Sequence, residues 1–243
     1  MQLEIERVTT EIDGLDDVLG GGIPRGHVVL VSGAPGTMKS TLAYAIMHNA
    51  ARRGLRSLYI SLEQSKASLE RQMAAMGFDV TAAADRVHIL DGGALQKDMG
   101  RGARLVWVDY LKRAVDNKRR IDGVDLVALD SLEALEVLAK FEDRRIALFE
   151  FFEWFRGLDA TALILTEASR DAPALVLDSG HRDHHDEEFL ADGVLQLKLH
   201  PVSDLDVQRR LRVAKMRASN HRTGYYTLVF EDGRFSVTRS MSE

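Results

Sequence analysis

The ten residues Ser32-Gly33-Ala34-Pro35-Gly36-Thr37-Met38-Lys39-Ser40-Thr41 constrain the chain more than any other stretch. They follow an apolar run at 28–31 and lead into Leu42, Ala43, Ile46 and Met47, which share one face at helical spacing. Strand, glycine-rich turn, Lys-Ser and helix, in that order, is the layout of a phosphate-binding loop. Small residues let the backbone curl so that its N–H groups point inward. The helix N-terminus adds partial positive charge. In such a loop residues 33–41 wrap the phosphates, Lys39 reaches the β- and γ-phosphates, and the Ser40 hydroxyl sits on Mg2+. One position departs from the usual pattern. Met38 stands where a glycine normally precedes the Lys, so it is accommodated either without positive φ or at some strain. A Gly-Pro turn capping an ordinary helix explains the glycines, but not why Gly33, Gly36, Lys39 and Ser40 all fall at the required offsets.

Around this loop the pattern alternates. Ile12, Leu15, Val18 and Leu19 fall at helical spacing, and Gly20-Gly21-Gly22 ends that segment. The three glycines read either as a flexible connector or as a close approach of backbone. Beyond the loop, helices are expected at 39–53, from Leu69 through Met73 to Met76, at 105–120 and at 141–158. Strands are expected at 56–61, 87–90, 125–130 and 161–166, and residues 91–104 read as an exposed loop. The aromatic residues of 141–158 are expected to pack between the sheet and its neighbours. Four further strand-like runs, at 193–199, 210–216, 225–230 and 235–238, are joined by turns such as Glu231-Asp232-Gly233-Arg234. The expectation is an α/β fold: a mostly parallel central sheet flanked by helices, with C-terminal antiparallel strands. One domain spans 1–243, made of a strap (1–26), a P-loop core (27–192) and a β extension (193–243).

A phosphate loop needs partners at the same sheet edge. Asp130 ends the apolar strand Val127-Ala128-Leu129-Asp130 and is the candidate second group for Mg2+; capping of the next helix is a compatible role. Glu63 follows the strand after the P-loop helix and is the candidate base or orienting group for an attacking water. Thr166 and Glu167 end a later strand and are candidates for reading the γ-phosphate. The run from His181 to Glu188 holds potential metal ligands, but its polarity reads as a solvated loop.

Taken together, these segments resemble the KaiC-like branch of the RecA superfamily of ATPases. The resemblance covers nearly the whole chain, from Gly14-Leu15-Asp16 and the glycine-rich strap through the P-loop, in a Met38 form similar to some single-domain relatives. Tyr59-Ile60-Ser61-Leu62-Glu63-Gln64 stands where the family carries a pair of catalytic glutamates, of which only Glu63 is present. Leu129-Asp130-Ser131-Leu132 resembles the Walker B end. Lys215-Met216-Arg217-Ala218-Ser219-Asn220-His221 resembles the segment that, in ring-forming relatives, reaches the γ-phosphate of the neighbouring subunit. Lys215 and Arg217 lie two apart on a strand and share a face. The resemblance thus implies ATP and Mg2+ as ligands, ATP hydrolysis, and a homo-oligomer, a hexamer, with inter-subunit sites. It also implies a nucleotide-driven regulatory or assembly switch acting on a protein partner. Two departures narrow it. Circadian-clock members have two such domains, and their Ser and Thr phospho-acceptors fall where this chain has Glu188-Phe189-Leu190, so autophosphorylation is not expected.

Composition bears on the rivals. The net charge of −5 disfavours constitutive grip on nucleic acid. A RecA-type DNA-repair ATPase stays open, with Arg101, Arg104, Lys118, Arg119 and Arg120 as candidate contacts, as does a nucleotide-dependent scaffold with little turnover. The absence of Cys rules out disulfides and thiolate zinc sites. No apolar run reaches membrane-spanning length, and a cytoplasmic location is expected.

Overall fold

The structure, a computed structural model, describes residues 5–98, 107–167 and 186–239. A short antiparallel pair, β1 (Arg7–Val8) and β2 (Ile23–Pro24), encloses helix α1 (Leu15–Leu19) and forms the strap. Gly22, with φ 108, lies so close to the β1 backbone that a Cβ would fall 2.7 Å from the Val8 carbonyl oxygen; the glycine run is a close approach, not a free connector.

The central sheet has nine strands. The P-loop strand β3 (Val28–Gly33) is followed by α2 (Lys39–Arg52), β4 (Ser57–Ser61), α3 (Lys66–Ala75), α4 (Val80–Ala83) and β5 (Val87–Asp91). Next come α5 (Gly92–Asp98), α6 (Trp107–Asp122), β6 (Leu126–Asp130), α7 (Leu132–Ala139), α8 (Arg144–Arg156) and β7 (Thr161–Thr166). Helix α9 (Asp186–Leu190) leads into β8 (Gly193–Pro201), β9 (Val207–Met216), β10 (Tyr226–Glu231) and β11 (Arg234–Arg239). The strand order is β11-β10-β9-β8-β3-β7-β6-β4-β5. The strands from β8 to β5 in that order are parallel, and β9, β10 and β11 extend one side antiparallel, as the change in pattern after residue 192 predicts.

Period-2 alternation splits β3 between two cores. Val29 and Val31 face α2, while Val28 and Leu30 face the layer of α6, α7 and α8. Both faces are covered, which is why the parallel strands read as unbroken apolar runs. Leu42, Ile46 and Met47 of α2 are fully buried, each worth roughly 1.5–3 kcal/mol, so the helix carrying the P-loop lysine is anchored along its length.

Three expectations need correction. Residues 92–98 form a helix, not a loop: Asp91 Oδ1 accepts from the Ala94 N–H at 3.0 Å and Leu95 is buried, and these outweigh the glycines. The helix expected at 141–158 is confined to α8, because Asp143 caps its start by accepting from Ile146 N–H at 3.0 Å. Within it Phe151, Phe152 and Phe155 are buried, but Phe149 is exposed. The stretch before α8 is a separate helix, α7, ended by Lys140 in the left-handed conformation.

Candidate active site

Because β3, β6 and β4 run parallel, their last residues meet at one edge of the sheet. The P-loop opens there. A Cβ on Gly33 would lie 2.7 Å from Thr37 Oγ1 and 2.8 Å from the Leu197 carbonyl oxygen, so only glycine lets β8 and the loop close together. Thr37 is buried and its hydroxyl donates to the Ala34 carbonyl at 2.8 Å, bracing the turn around Pro35 and Gly36. Met38 takes φ 71 and ψ 32, the conformation that favours glycine, and its side chain packs against the α2-side core. Lys39 Nζ donates to the Gly33 carbonyl at 2.7 Å, folded back over the loop. Ser40 and Thr41 occupy the first turn of α2.

Beside the loop is a cleft of about 400 Å3, lined by Lys39, Ser40, Glu63, Asp130, Ser131 and Arg209 among others. Asp130 and Glu63 reach it from adjacent strands. Ser61 of β4 is in register with Asp130 of β6, and the Leu62 N–H donates to the Asp130 carbonyl at 2.8 Å, which carries Glu63 to the mouth. The Tyr59 hydroxyl donates to Asp130 Oδ2 at 2.5 Å. Burial pushes the Asp130 carboxyl above the ordinary carboxylate range, against the pull of the Tyr59 and Ser40 hydroxyls. Burial and the Asp130 charge together drive the Tyr59 phenol upward, so Tyr59 is a hydrogen-bond donor throughout the physiological range.

Several partners are not legible as motifs. The Ser131 hydroxyl donates to Glu63 Oε1 and accepts from the Ala134 N–H, so it ties Glu63 to the start of α7. It is Ser131, not Asp130, that caps this helix. Glu133 Oε1 accepts from the Thr166 hydroxyl at 2.6 Å and the Glu167 N–H at 2.8 Å, which fixes the end of β7 against α7. Gln64, at the second glutamate position, donates its amide to Gln72 of α3 at 3.1 Å. Arg209 projects over the loop and its Nε donates to the Gly36 carbonyl at 3.2 Å. Its signal in the sequence is only that strand β9 is basic.

Lys215 and Arg217 lie elsewhere. The register places Lys215 opposite Val194, and Val194 beside Leu30, three residues before Gly33 and therefore about 10 Å down the strand from the loop. Lys215 Nζ donates to the Glu188 carbonyl at 2.9 Å. Arg217 pairs with Asp192 Oδ1 at 2.7 Å, while Asp192 Oδ2 accepts from the Val28 N–H at 3.1 Å. Within one chain Lys215 is therefore set back along the sheet from the P-loop mouth, and Arg217 is held by Asp192. Of the candidate nucleic-acid contacts, Arg101 and Arg104 lie outside the described residues; Lys118 pairs with Asp122 at 2.8 Å and Arg119 donates to the Leu158 carbonyl at 2.5 Å. His181, His184 and His185 also lie outside the described residues. Among those described, no helix is long and apolar enough to cross a membrane.

A family model described as the KaiC ATPase matches residues 8–241. Similar proteins include a UPF0273 protein of Aeropyrum pernix, 31% identical over 229 residues that cover 89% of this chain and 87% of the relative. Another UPF0273 protein, of Thermotoga maritima, is 28% identical and covers 89% of each. Among solved structures, a KaiC-like protein, PH0186, of Pyrococcus horikoshii superposes with a TM-score of 0.78 at 24% identity, over 96% of this chain and 99% of that one.

Proposed function

Since the chain belongs to the KaiC ATPase family, a family of RecA-type P-loop ATPases, we propose that it binds ATP with Mg2+ in the P-loop cleft and hydrolyses it. The observation that carries this reading is the convergence of Lys39, Ser40, Asp130 and Glu63 on one cleft from three parallel strand ends. The donor set fits Mg2+: a hydroxyl and one carboxylate, with the remaining positions left to water and substrate phosphates, is the coordination that Mg2+ takes in such sites. Ser40 and Asp130 would hold it, and the ion supplies neutralisation of charge on the phosphates.

The chain's own groups divide the work. The loop N–H groups and Lys39 bind the β- and γ-phosphates, Lys39 leaving its contact with Gly33 to do so. Glu63 orients the water, and its carboxylate is aimed by Ser131. Arg209 stands over the loop as a cation from the same chain. Thr166 and Glu167, fixed by Glu133, border the γ-phosphate side. Lys215 and Arg217 act on a neighbouring copy, because the register separates them from their own loop. ATP then lies between protomers of a homo-oligomer, a hexameric ring, and stabilises it by mass action. Turnover in this arrangement reads out as a change in assembly or shape, which a protein partner can sense as a regulatory switch.

The test is steady-state ATP hydrolysis with Mg2+ and with excess chelator, in the wild type and in Lys39→Ala. Turnover that requires both Mg2+ and Lys39 is expected. Equal rates in the wild type and Lys39→Ala would remove the enzymatic reading and leave a binding scaffold.

A further inference from the structure

A second cavity, of about 440 Å3, lies at the end of α2 away from the P-loop. Its inner wall holds His48 and Asn49 from the last turns of α2, with Phe78 from the α3–α4 connection. The His48 ring stacks with Tyr44 at 6.3 Å between centroids and meets Phe78 edge-on at 5.4 Å. Three arginines line it: Arg52 ending α2, Arg86 before β5, and Arg234 opening β11.

The walls are rigid for reasons in the backbone. Asp232 and Gly233 form a two-residue hairpin turn, with φ 47 and 75, the left-handed pair that such a turn requires. A Cβ on Gly233 would lie 2.8 Å from the Gly77 carbonyl oxygen, so the turn rests directly on the α3–α4 connection and fixes where Arg234 begins. Asp79 Oδ1 is engaged in capping α4, accepting from Ala82 N–H at 2.9 Å. Arg86 donates one nitrogen to the Gly54 carbonyl at 2.6 Å and keeps the rest of its fork. Among the described residues, the side chains of Arg52, Arg234 and Asp232 make no hydrogen bond or ion pair.

We propose that this cavity is a second ligand site, taking the phosphate group of a small organic phosphate independently of the P-loop. Planar guanidinium forks recognise phosphate bidentately, and the volume is that of a small-molecule site. His48 stands in the lining, its pKa lowered by burial and by the Arg52 charge against hydrogen bonds to the Asp79 backbone and the Asn49 side chain, and its ring reports on charge brought to the neighbouring arginines. The unpaired Asp232 carboxylate disfavours a bare polyanion and favours a ligand whose organic part carries a hydroxyl or amine donor. The site does not depend on the ATPase reading.

The test uses Lys39→Ala, so that the P-loop is not the reporter, with O-phosphoethanolamine, a phosphate monoester carrying an amine donor, as the probe and sodium chloride at matched ionic strength as the control. Histidine imidazole NMR should show a saturable shift of the His48 ring that the chloride control lacks, with His27 and His88 unmoved. Adding Arg52→Gln and Arg234→Gln, both on exposed side chains, should weaken the apparent affinity by about tenfold or more. No saturable His48 shift, a shift equal to that with chloride, or a shift indifferent to the two arginine changes would each overturn the site.

Discussion

The Ser131 hydroxyl donates to Glu63 Oε1, joining the residue after the strand-end aspartate to a carboxylate 68 residues away in the chain. The same oxygen accepts from the Ala134 N–H at 3.4 Å, so one side chain aims Glu63 and starts α7. Ser131→Ala should cut kcat for ATP about tenfold with little change in KM, because the substrate still meets the P-loop while the water loses its aim. Ser131→Thr, which keeps the hydroxyl, should restore most of the rate. Loss of the cap alone would cost about 1 kcal/mol of stability and leave kcat intact, so a kcat unchanged in Ser131→Ala assigns this serine to structure only.

Asp130 gives a prediction on stability. Burial raises its pKa in the folded protein, so the folded state holds this proton more tightly than the unfolded chain. Its contribution is therefore present below the ordinary carboxylate pKa and is lost as pH rises through the raised one. At neutral pH the buried carboxylate opposes folding until a cation joins it. Asp130→Asn, which keeps an acceptor for Tyr59, should melt higher than the wild type at pH 7 without nucleotide, by roughly 2–4 °C per kcal/mol relieved. With Mg2+ and ATP the order should reverse. Differential scanning fluorimetry at pH 7 with and without Mg-ATP reads both; a variant melting lower in the absence of nucleotide contradicts the account.

Action between protomers can be tested by mixing. Lys39→Ala lacks a working P-loop but keeps Lys215 and Arg217; a Lys215→Ala/Arg217→Ala variant has the reverse. Each alone should hydrolyse ATP at least 100-fold more slowly than the wild type, in line with the loss of a phosphate-neutralising cation. Mixed and reassembled, they should regain a measurable fraction of wild-type turnover, since some interfaces then pair an intact loop with intact cations. A mixture no faster than the average of its two components would contradict action between protomers.

How much of this was legible in the sequence depends on the distance over which each relationship acts. The P-loop is contiguous, so its offsets announce it, and Met38 was recognisable as the one position in tension; the structure resolves that tension with φ 71 and contacts to the core. Glu63 and Asp130 could be placed because strand ends in a parallel sheet share an edge. Tyr59, by contrast, lies inside an apolar strand and reads as core; only the register of β4 with β6 turns its hydroxyl to Asp130. Glu133 with Thr166, and Arg209 with Gly36, depend on which strands become neighbours, which local periodicity does not encode. The helix at 92–98 was hidden by its glycines, because its stability comes from the Asp91 cap and from tertiary burial of Leu95. The position of Lys215 relative to the loop, three residues down the sheet, likewise needs the β3–β8–β9 register.

The most direct test of the central claim is single-turnover hydrolysis of Mg-ATP by Glu63→Gln beside the wild type, with ATP affinity measured on the same samples. The substitution keeps the size and one acceptor oxygen of the side chain and removes its charge. The account predicts unchanged ATP affinity and hydrolysis slower by about 10²–10⁴-fold. Hydrolysis at the wild-type rate with affinity intact would contradict it.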